Sequence, residues 1–242
     1  MAPSPASGPP WLVLPTYNEA GNLEPLVESA LAKLPPDARI LVVDDNSPDG
    51  TGRIADHLAQ RHERVRVLHR PRKEGLGPAY IAGFRVALES DAALVLEMDS
   101  DFSHDPAYLP RLLDAAARAD LVIGSRYVDG GGVSDWGAAR RAISRGGSAY
   151  ARLVLGLEVR DVTGGFKCFR REVLEAIDLG TIQSRGYAFQ VETTYRAIRA
   201  GFRFVEVPIV FRDRRVGTSK MGGAIVAEAA LRVPLLRLGA RR

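Results

Sequence analysis

An apolar run, Val95-Leu96-Glu97-Met98, ends in Asp99-Ser100-Asp101. Side chains alternate across a strand, so Asp99 and Asp101 face the same way if extended geometry persists through them. Two neighbouring carboxylates repel unless a cation lies between them. Hard oxygen ligands at a strand end suit Mg²⁺ or Mn²⁺, and Mg²⁺ often takes few protein ligands plus substrate phosphates. The motif alone fits a polar strand terminus better than a metal site. Further chemistry-bearing groups lie elsewhere: Pro15-Thr16-Tyr17-Asn18-Glu19, Asp44-Asp45-Asn46-Ser47, Lys73 with Gly75-Leu76-Gly77, Arg126, and Arg140 with Ser144.

The elements that must position these groups alternate. Trp11 to Pro15, Arg39 to Val43, Val65 to Leu68, Ala92 to Met98 and Leu121 to Ile123 read as strands, apolar enough for burial on both faces. Leu23 to Leu34, Thr51 to Arg61, Gly77 to Ser90 and Pro106 to Ala117 read as helices; Pro106 suits a first turn, where its missing N–H costs nothing. Such alternation predicts an α/β fold with a mainly parallel sheet flanked by helices. Ligands of these sheets gather beyond the carboxyl ends of the strands. The polar groups fall at four such ends, those following Pro15, Val43, Met98 and Ile123, the last running into Gly124-Ser125-Arg126-Tyr127.

The second half is less regular. Asp129 to Gly137 reads as a glycine-rich loop, Ala138 to Leu155 as a helix carrying Arg140, Arg141 and Arg145, and Phe166 to Phe169 as a strand. Helices are expected near Arg171 to Ile177 and Ala188 to Ala200. Phe202 to Phe211 reads as extended, with Pro208 favouring a sheet edge. Ala224 to Leu238 has helical apolar spacing, kinked or divided at Pro234. The expected organisation is a tail over residues 1–10, one domain over 11–223, and an amphipathic helical segment over 224–242 belonging to the same domain.

Composition narrows the function classes. Of 242 residues 46% are hydrophobic and 26% charged, which is globular and leaves no run near the ~18 apolar residues of a membrane span. Residues 1–10 lack the basic start and apolar core of a secretory signal. The sole cysteine, Cys168, excludes an intramolecular disulfide and sits between Phe166 and Phe169 as a packed small hydrophobe. From Gly201 onward nine Arg and Lys face three acidic residues, a basic end able to meet phosphates or an anionic membrane. Aromatics at 7% argue against a nucleic-acid interface built on stacking. Gly75-Leu76-Gly77-Pro78-Ala79-Tyr80 imitates a dinucleotide fingerprint, but Tyr80 stands where its last glycine should be and the stretch lies beyond the first strand and helix. The four histidines show no metal-ligand spacing; His104 either faces solvent or makes a structural hydrogen bond.

Pro15-Thr16-Tyr17-Asn18-Glu19, Val42-Val43-Asp44-Asp45-Asn46-Ser47, Gly75-Leu76-Gly77 and Asp99-Ser100-Asp101 resemble, in order, the inverting family-2 glycosyltransferases of GT-A fold. Ser100-Asp101-Phe102-Ser103-His104, Gly124-Ser125-Arg126-Tyr127, Ile143-Ser144-Arg145-Gly146 and the run Gly217 to Gly223 are similar to the dolichol- and polyprenol-phosphate mannosyltransferases within that family. The resemblance implies transfer of mannose from GDP-mannose to a polyprenyl or dolichyl monophosphate. It implies Mg²⁺ or Mn²⁺ on Asp101, with Asp99 and Ser103 as further contacts. Pro15, Tyr17, Glu19, Asp45, Lys73 and Gly75 become the nucleotide pocket; Arg214 and Lys220 become partners of the diphosphate; Arg126, Arg140 and Ser144 become the grip on the acceptor phosphate.

A phosphate monoester needs no general base, because its second pKa lies near ~6. The expected step is therefore direct displacement at the anomeric carbon, with Asp101, Arg126 and Arg140 carrying it. The resemblance also implies a peripheral protein at the cytoplasmic membrane face, working alone or with a separate anchor protein. Trp136 is a candidate interfacial anchor or a core tryptophan, and the segment from Ala224 to Leu238 either lies on a bilayer or packs on the domain. Two rivals share much of the pattern: a transferase using another donor such as UDP-glucose, and a nucleotide-sugar-binding subunit without turnover.

Overall fold

The computed structural model describes residues 7–182, 184, 186–213 and 232–238. Seven strands form one sheet in the order β3-β2-β1-β4-β7-β5-β8. They are β1 (Pro10–Thr16), β2 (Arg39–Asp44), β3 (Val65–His69), β4 (Leu94–Glu97), β5 (Leu121–Ser125), β7 (Lys167–Arg170) and β8 (Phe204–Pro208). β1 pairs in parallel with β2 and β4, β2 with β3, and β5 with β8. β7 runs antiparallel between β4 and β5. A two-stranded ribbon, β6 (Gly132–Val133) with β9 (Val210–Phe211), stands apart and lies within two stretches expected to be loop and continuous strand.

Side-chain alternation divides the core into two layers. Trp11, Val13, Leu41, Val43, Val95, Leu121, Ile123 and Phe169 face one layer, packed by α3 (Leu76–Glu89), α5 (Ala138–Leu155), α6 (Arg171–Ala176) and α7 (Gly186–Arg199). Leu12, Leu14, Ile40, Val42, Leu96, Val122 and Cys168 face the other, packed by α1 (Leu23–Leu31), α2 (Thr51–Arg61) and α4 (Leu109–Ala115). Consecutive apolar residues in β1, β2 and β5 thus serve both layers. β3 departs from the expectation of double burial. It is an edge strand whose Arg66 and His69 are exposed. α3 approaches the sheet closely at Gly83, where a Cβ would lie 2.4 Å from Val13 Cγ1 and 3.0 Å from Val43 Cγ2.

Pro208 ends an edge strand, as its missing N–H requires. Residues 232–238 are helical, with Val233 buried and Arg237 Nη1 donating to the Val154 carbonyl of α5. That part of the Ala224–Leu238 segment packs on the domain; 224–231 lie outside the described residues.

Candidate active site: an acidic turn facing an arginine and aromatic cluster

β4 stops at Glu97, so Asp99 and Asp101 do not continue a strand as the alternation argument assumed. The chain turns instead, with Phe102 at φ 63°. Local hydrogen bonds hold that turn. Asp101 Oδ1 accepts from Ser103 N at 3.0 Å, Asp99 N donates to His104 Nδ1 at 3.2 Å, and Ser103 O accepts from Arg212 N at 3.2 Å. Ser100 Oγ donates to Pro15 O at 2.7 Å, tying the turn to the end of β1. Asp101 is buried, whereas the Asp99 side chain is 32% exposed. Tyr80 Oη donates to Asp99 Oδ1 at 3.5 Å, and burial followed by the charge of Asp99 pushes the Tyr80 phenol well above its usual range.

Among the described residues no three His, Cys, Asp or Glu side chains gather as an all-protein metal cage. His104 Nδ1 is occupied by the Asp99 amide and adds no ligand. The donor set is two carboxylates and the Ser103 hydroxyl. Such an all-oxygen set fits a hard divalent cation that keeps water and substrate oxygens in its shell.

The ends of β1 and β2 are stitched by side chains. Asn18 N donates to Ser47 Oγ at 3.1 Å, Glu19 N to Thr51 Oγ1 at 2.9 Å and Ala20 N to Asp49 Oδ2 at 3.1 Å. Glu19 Oε2 accepts from Asn22 Nδ2 at 2.8 Å. The Asp45 carboxylate, just past the end of β2, holds the loop before α3. Oδ2 accepts from Glu74 N at 3.0 Å and Gly75 N at 2.9 Å, while Oδ1 pairs with Arg70. Asp44 also holds a loop, accepting from Ser47 N at 3.2 Å. Lys73 Nζ lies 3.8 Å from the centroid of Tyr17, so the loop closes over the end of β1.

Arg126, at the end of β5, is buried and fully forked onto Asp161. Its Nε donates to Oδ2 and its Nη2 to Oδ1, both at 2.7 Å, and Nη2 also donates to Thr163 Oγ1 at 2.9 Å. Asp161 is completely buried and its own amide donates to Glu206 Oε1 at 3.0 Å. Arg140 is more accessible, with 31% of its side chain exposed; it pairs with Asp213 at 2.9 Å and lies 4.2 Å from the Trp136 ring. Trp136 is 6% exposed, which removes it as an interfacial anchor. It meets Phe211 edge to face at 5.3 Å and takes Arg126 on its ring at 5.9 Å. Ser144 Oγ accepts from Tyr127 Oη at 2.6 Å, and Arg145 lies over the same tyrosine ring.

His104 lies between the two halves. It stacks on Phe166 at 5.0 Å and meets the Phe211 ring edge at 5.2 Å. Burial lowers its pKa to about 4 despite the nearby carboxylate of Asp101, with Arg126 also disfavouring the charged form. The imidazole is thus neutral at neutral pH, as an acceptor at Nδ1 must be. Behind the turn, Lys167 Nζ of β7 pairs with Glu97 Oε1 at 3.2 Å, both fully buried, and donates to Gln190 Oε1 at 2.5 Å and Gln190 O at 3.0 Å.

The structure therefore brings Pro15, Tyr17, Glu19, Asp45, Lys73 and Gly75 together at one rim, Asp99, Asp101 and Ser103 in one turn, and Arg126, Arg140 and Ser144 in one cluster beside it. Arg214 and Lys220 lie outside the described residues. Asp161, Thr163, Arg70, Glu97 and Lys167 were not foreseen. The signal for the last two was a charge inside each of two apolar runs, Val95-Leu96-Glu97-Met98 and Phe166-Lys167-Cys168-Phe169.

Residues 11–178 match the model of the family described as Glycosyl transferase family 2. The chain is 52% identical over 229 residues to an undecaprenyl-phosphate mannosyltransferase of Micrococcus luteus, covering 95% of this chain and 94% of that one. It is 50% identical over 224 residues to a polyprenol monophosphomannose synthase of Mycolicibacterium smegmatis, covering 92% and 84%. Among solved structures, glucosyl-3-phosphoglycerate synthase from Mycobacterium tuberculosis, in complex with Mn²⁺, UDP and glucosyl-3-phosphoglycerate, superposes with a TM-score of 0.69 at 19% identity, covering 96% of this chain and 80% of that one. At that identity the likeness is one of fold.

Proposed function

The chain belongs to glycosyl transferase family 2, and on that premise we propose that it moves mannose from GDP-mannose to a polyprenyl monophosphate with inversion at the anomeric carbon. The observation that carries the reading is the half-identity, over nearly the whole chain, to two relatives named for mannosyl transfer to such lipids. The site supports it by placing an acidic turn and a guanidinium cluster on either side of one imidazole.

The nucleotide would lie along the ends of β1 and β2. Tyr17 under Lys73, Glu19, Pro15 and the Gly75 backbone form its walls, and Asp45 shapes that pocket by holding the loop amides. Asp101, with Asp99 and Ser103 beside it, would hold Mg²⁺ or Mn²⁺ against the donor diphosphate. When bound, such an ion stabilises charge on the departing nucleotide. Arg214 and Lys220 remain candidates for the same diphosphate from the sequence alone.

The lipid phosphate is already ionised at neutral pH, so the chain's residues need only hold it in line and neutralise part of its charge. Arg140 suits this, because a half-exposed ion pair with Asp213 exchanges onto a phosphate at little cost. Ser144 adds a hydroxyl. Arg126, with its Nε and Nη2 committed to Asp161 and Thr163, would add charge and fix the aromatic floor under Arg140.

The acceptor would place the protein peripherally at a membrane surface, on its cytoplasmic face. No helix among the described residues is long and apolar enough to cross a membrane. α5 and the 232–238 helix do present Ile143, Tyr150, Leu153, Leu235 and Leu238 to solvent, with exposed Arg141 and Arg145 on the same helix as the first three. Exposed apolar side chains together with exposed arginines suit contact with an anionic bilayer.

The test is incubation with Mg²⁺ or Mn²⁺, a short polyprenyl phosphate and either GDP-mannose or UDP-glucose, with products weighed by mass spectrometry. A lipid-phosphate hexose formed from GDP-mannose alone is expected. Transfer from UDP-glucose instead, or GDP release with no lipid product, would overturn the assignment.

A further inference from the structure

The two halves of the site come from distant parts of the chain, and one side chain touches both. His104 accepts the Asp99 amide through Nδ1 at 3.2 Å, which fixes the backbone at the first residue of the acidic turn. Its ring stacks on Phe166 and abuts the edge of Phe211. Phe211 in turn lies against Trp136 and beneath Arg126, whose guanidinium is 5.5 Å from the Phe211 centroid, and Trp136 carries Arg140. The residue after Phe211 closes the loop, since Arg212 N donates to Ser103 O at 3.2 Å. The imidazole is buried, so neither contact is diluted by water.

We propose that His104 is a positioning residue that couples the acidic turn to the arginine cluster, its Nδ1 setting the carboxylates and its ring setting the aromatic floor under Arg126 and Arg140. The two duties use different parts of one side chain and are therefore separable. The proposal rests on the assignment of the turn to the nucleotide and of the cluster to the lipid phosphate.

His104→Phe keeps a flat ring between Phe166 and Phe211 and removes the acceptor. His104→Asn keeps an amide oxygen close to the Nδ1 position and removes most of the ring. Binding of Mn²⁺ with GDP, and of a short polyprenyl phosphate, is measured for each by calorimetry, which requires no turnover. One lost hydrogen bond corresponds to roughly a fivefold change in affinity. The Phe variant should bind Mn²⁺ with GDP about fivefold more weakly and bind the lipid phosphate normally, and any transfer activity it loses should return at high Mn²⁺. The Asn variant should show the reverse, with lipid-phosphate affinity falling by a similar factor and Mn²⁺ with GDP unchanged.

Equal losses of both affinities in both variants would reduce His104 to a packing residue and overturn the proposal, as would no change in either. Should one variant fail to fold, the selectivity of the other decides. A wild-type chain that binds both ligands without transferring mannose would refute the proposed activity and leave this coupling measurable; one that binds neither would refute both.

Discussion

Lys167 tests how the core supports the acidic turn. Its ammonium is completely buried and touches Glu97 Oε1 at 3.2 Å, Gln190 O at 3.0 Å, Gln190 Oε1 at 2.5 Å and Thr193 Oγ1 at 3.5 Å. Glu97, also completely buried, is the last residue of β4 and stands two positions before Asp99. Burial raises the Glu97 pKa, and Lys167 is the main influence opposing that rise. Lys167→Met keeps much of the volume and removes the opposing charge, leaving a carboxylate with no cation in the interior.

Removing one partner of such a pair costs about 3–5 kcal/mol, a large share of the ~5–15 kcal/mol that holds a domain together. The pH dependence follows in sign. Without Lys167 the folded-state pKa of Glu97 lies further above its unfolded value. Between those two values the folded state binds more protons than the unfolded one, and stability falls as pH rises through that interval. Urea unfolding of the variant should therefore show a loss of about 3–5 kcal/mol at pH 7.5 and a smaller loss at pH 5. Glu97→Gln with Lys167→Met should recover most of the deficit, because a buried pair and a neutral replacement are often near equal. A single variant losing less than ~1 kcal/mol with no pH slope would refute this reasoning.

Arg126→Ala should lower turnover heavily, but it also strands the carboxylate of Asp161, so a stability loss of about 3–5 kcal/mol accompanies it. Arg126→Ala with Asp161→Asn should regain stability by urea unfolding while remaining slow in the transfer assay. Burial pushes the Cys168 thiol up to about 12, so native protein should resist thiol reagents at pH 8 and react only on unfolding; rapid native labelling would contradict the packing. Leu153→Ser with Leu235→Ser should cut sedimentation with anionic vesicles several-fold and leave GDP binding unchanged, since both side chains face solvent and neither is among the nucleotide-pocket residues; an unchanged sedimentation would remove the α5 face as a docking surface.

Helices were legible where local chemistry sets their limits. The stretches Thr51 to Arg61 and Ala138 to Leu155 match α2 and α5 end for end, the latter stopped by Gly156 in a left-handed conformation at φ 69°. Strands were legible as apolar runs, but their order was not, because pairing is a long-range property. Nothing in Lys167-Cys168-Phe169-Arg170 announces that β7 enters antiparallel between β4 and β5. That insertion is what carries Lys167 to Glu97.

The site followed the same division. Residue types at strand ends marked Asp99, Asp101 and Arg126, because a charge that follows an apolar run is conspicuous, and Arg140 was marked on the helix Ala138 to Leu155. What each carboxylate holds was not visible. Asp45 turns to loop amides and Asp161 to Arg126, contacts that depend on side-chain direction rather than spacing. Trp136 read equally as anchor or core, and only the packing of Phe211 and Arg140 against it decides for the core.

In the proposed reaction an ionised lipid phosphate attacks the anomeric carbon of mannose directly, with no base and no covalent intermediate. The most direct measurement offers GDP-mannose with either a polyprenyl phosphate or the matching free alcohol, and determines the anomeric configuration of the product by NMR. A β-linked mannosyl phosphate from the phosphate, and no product from the alcohol, is expected. An α-linked product, or transfer to the alcohol, would contradict it.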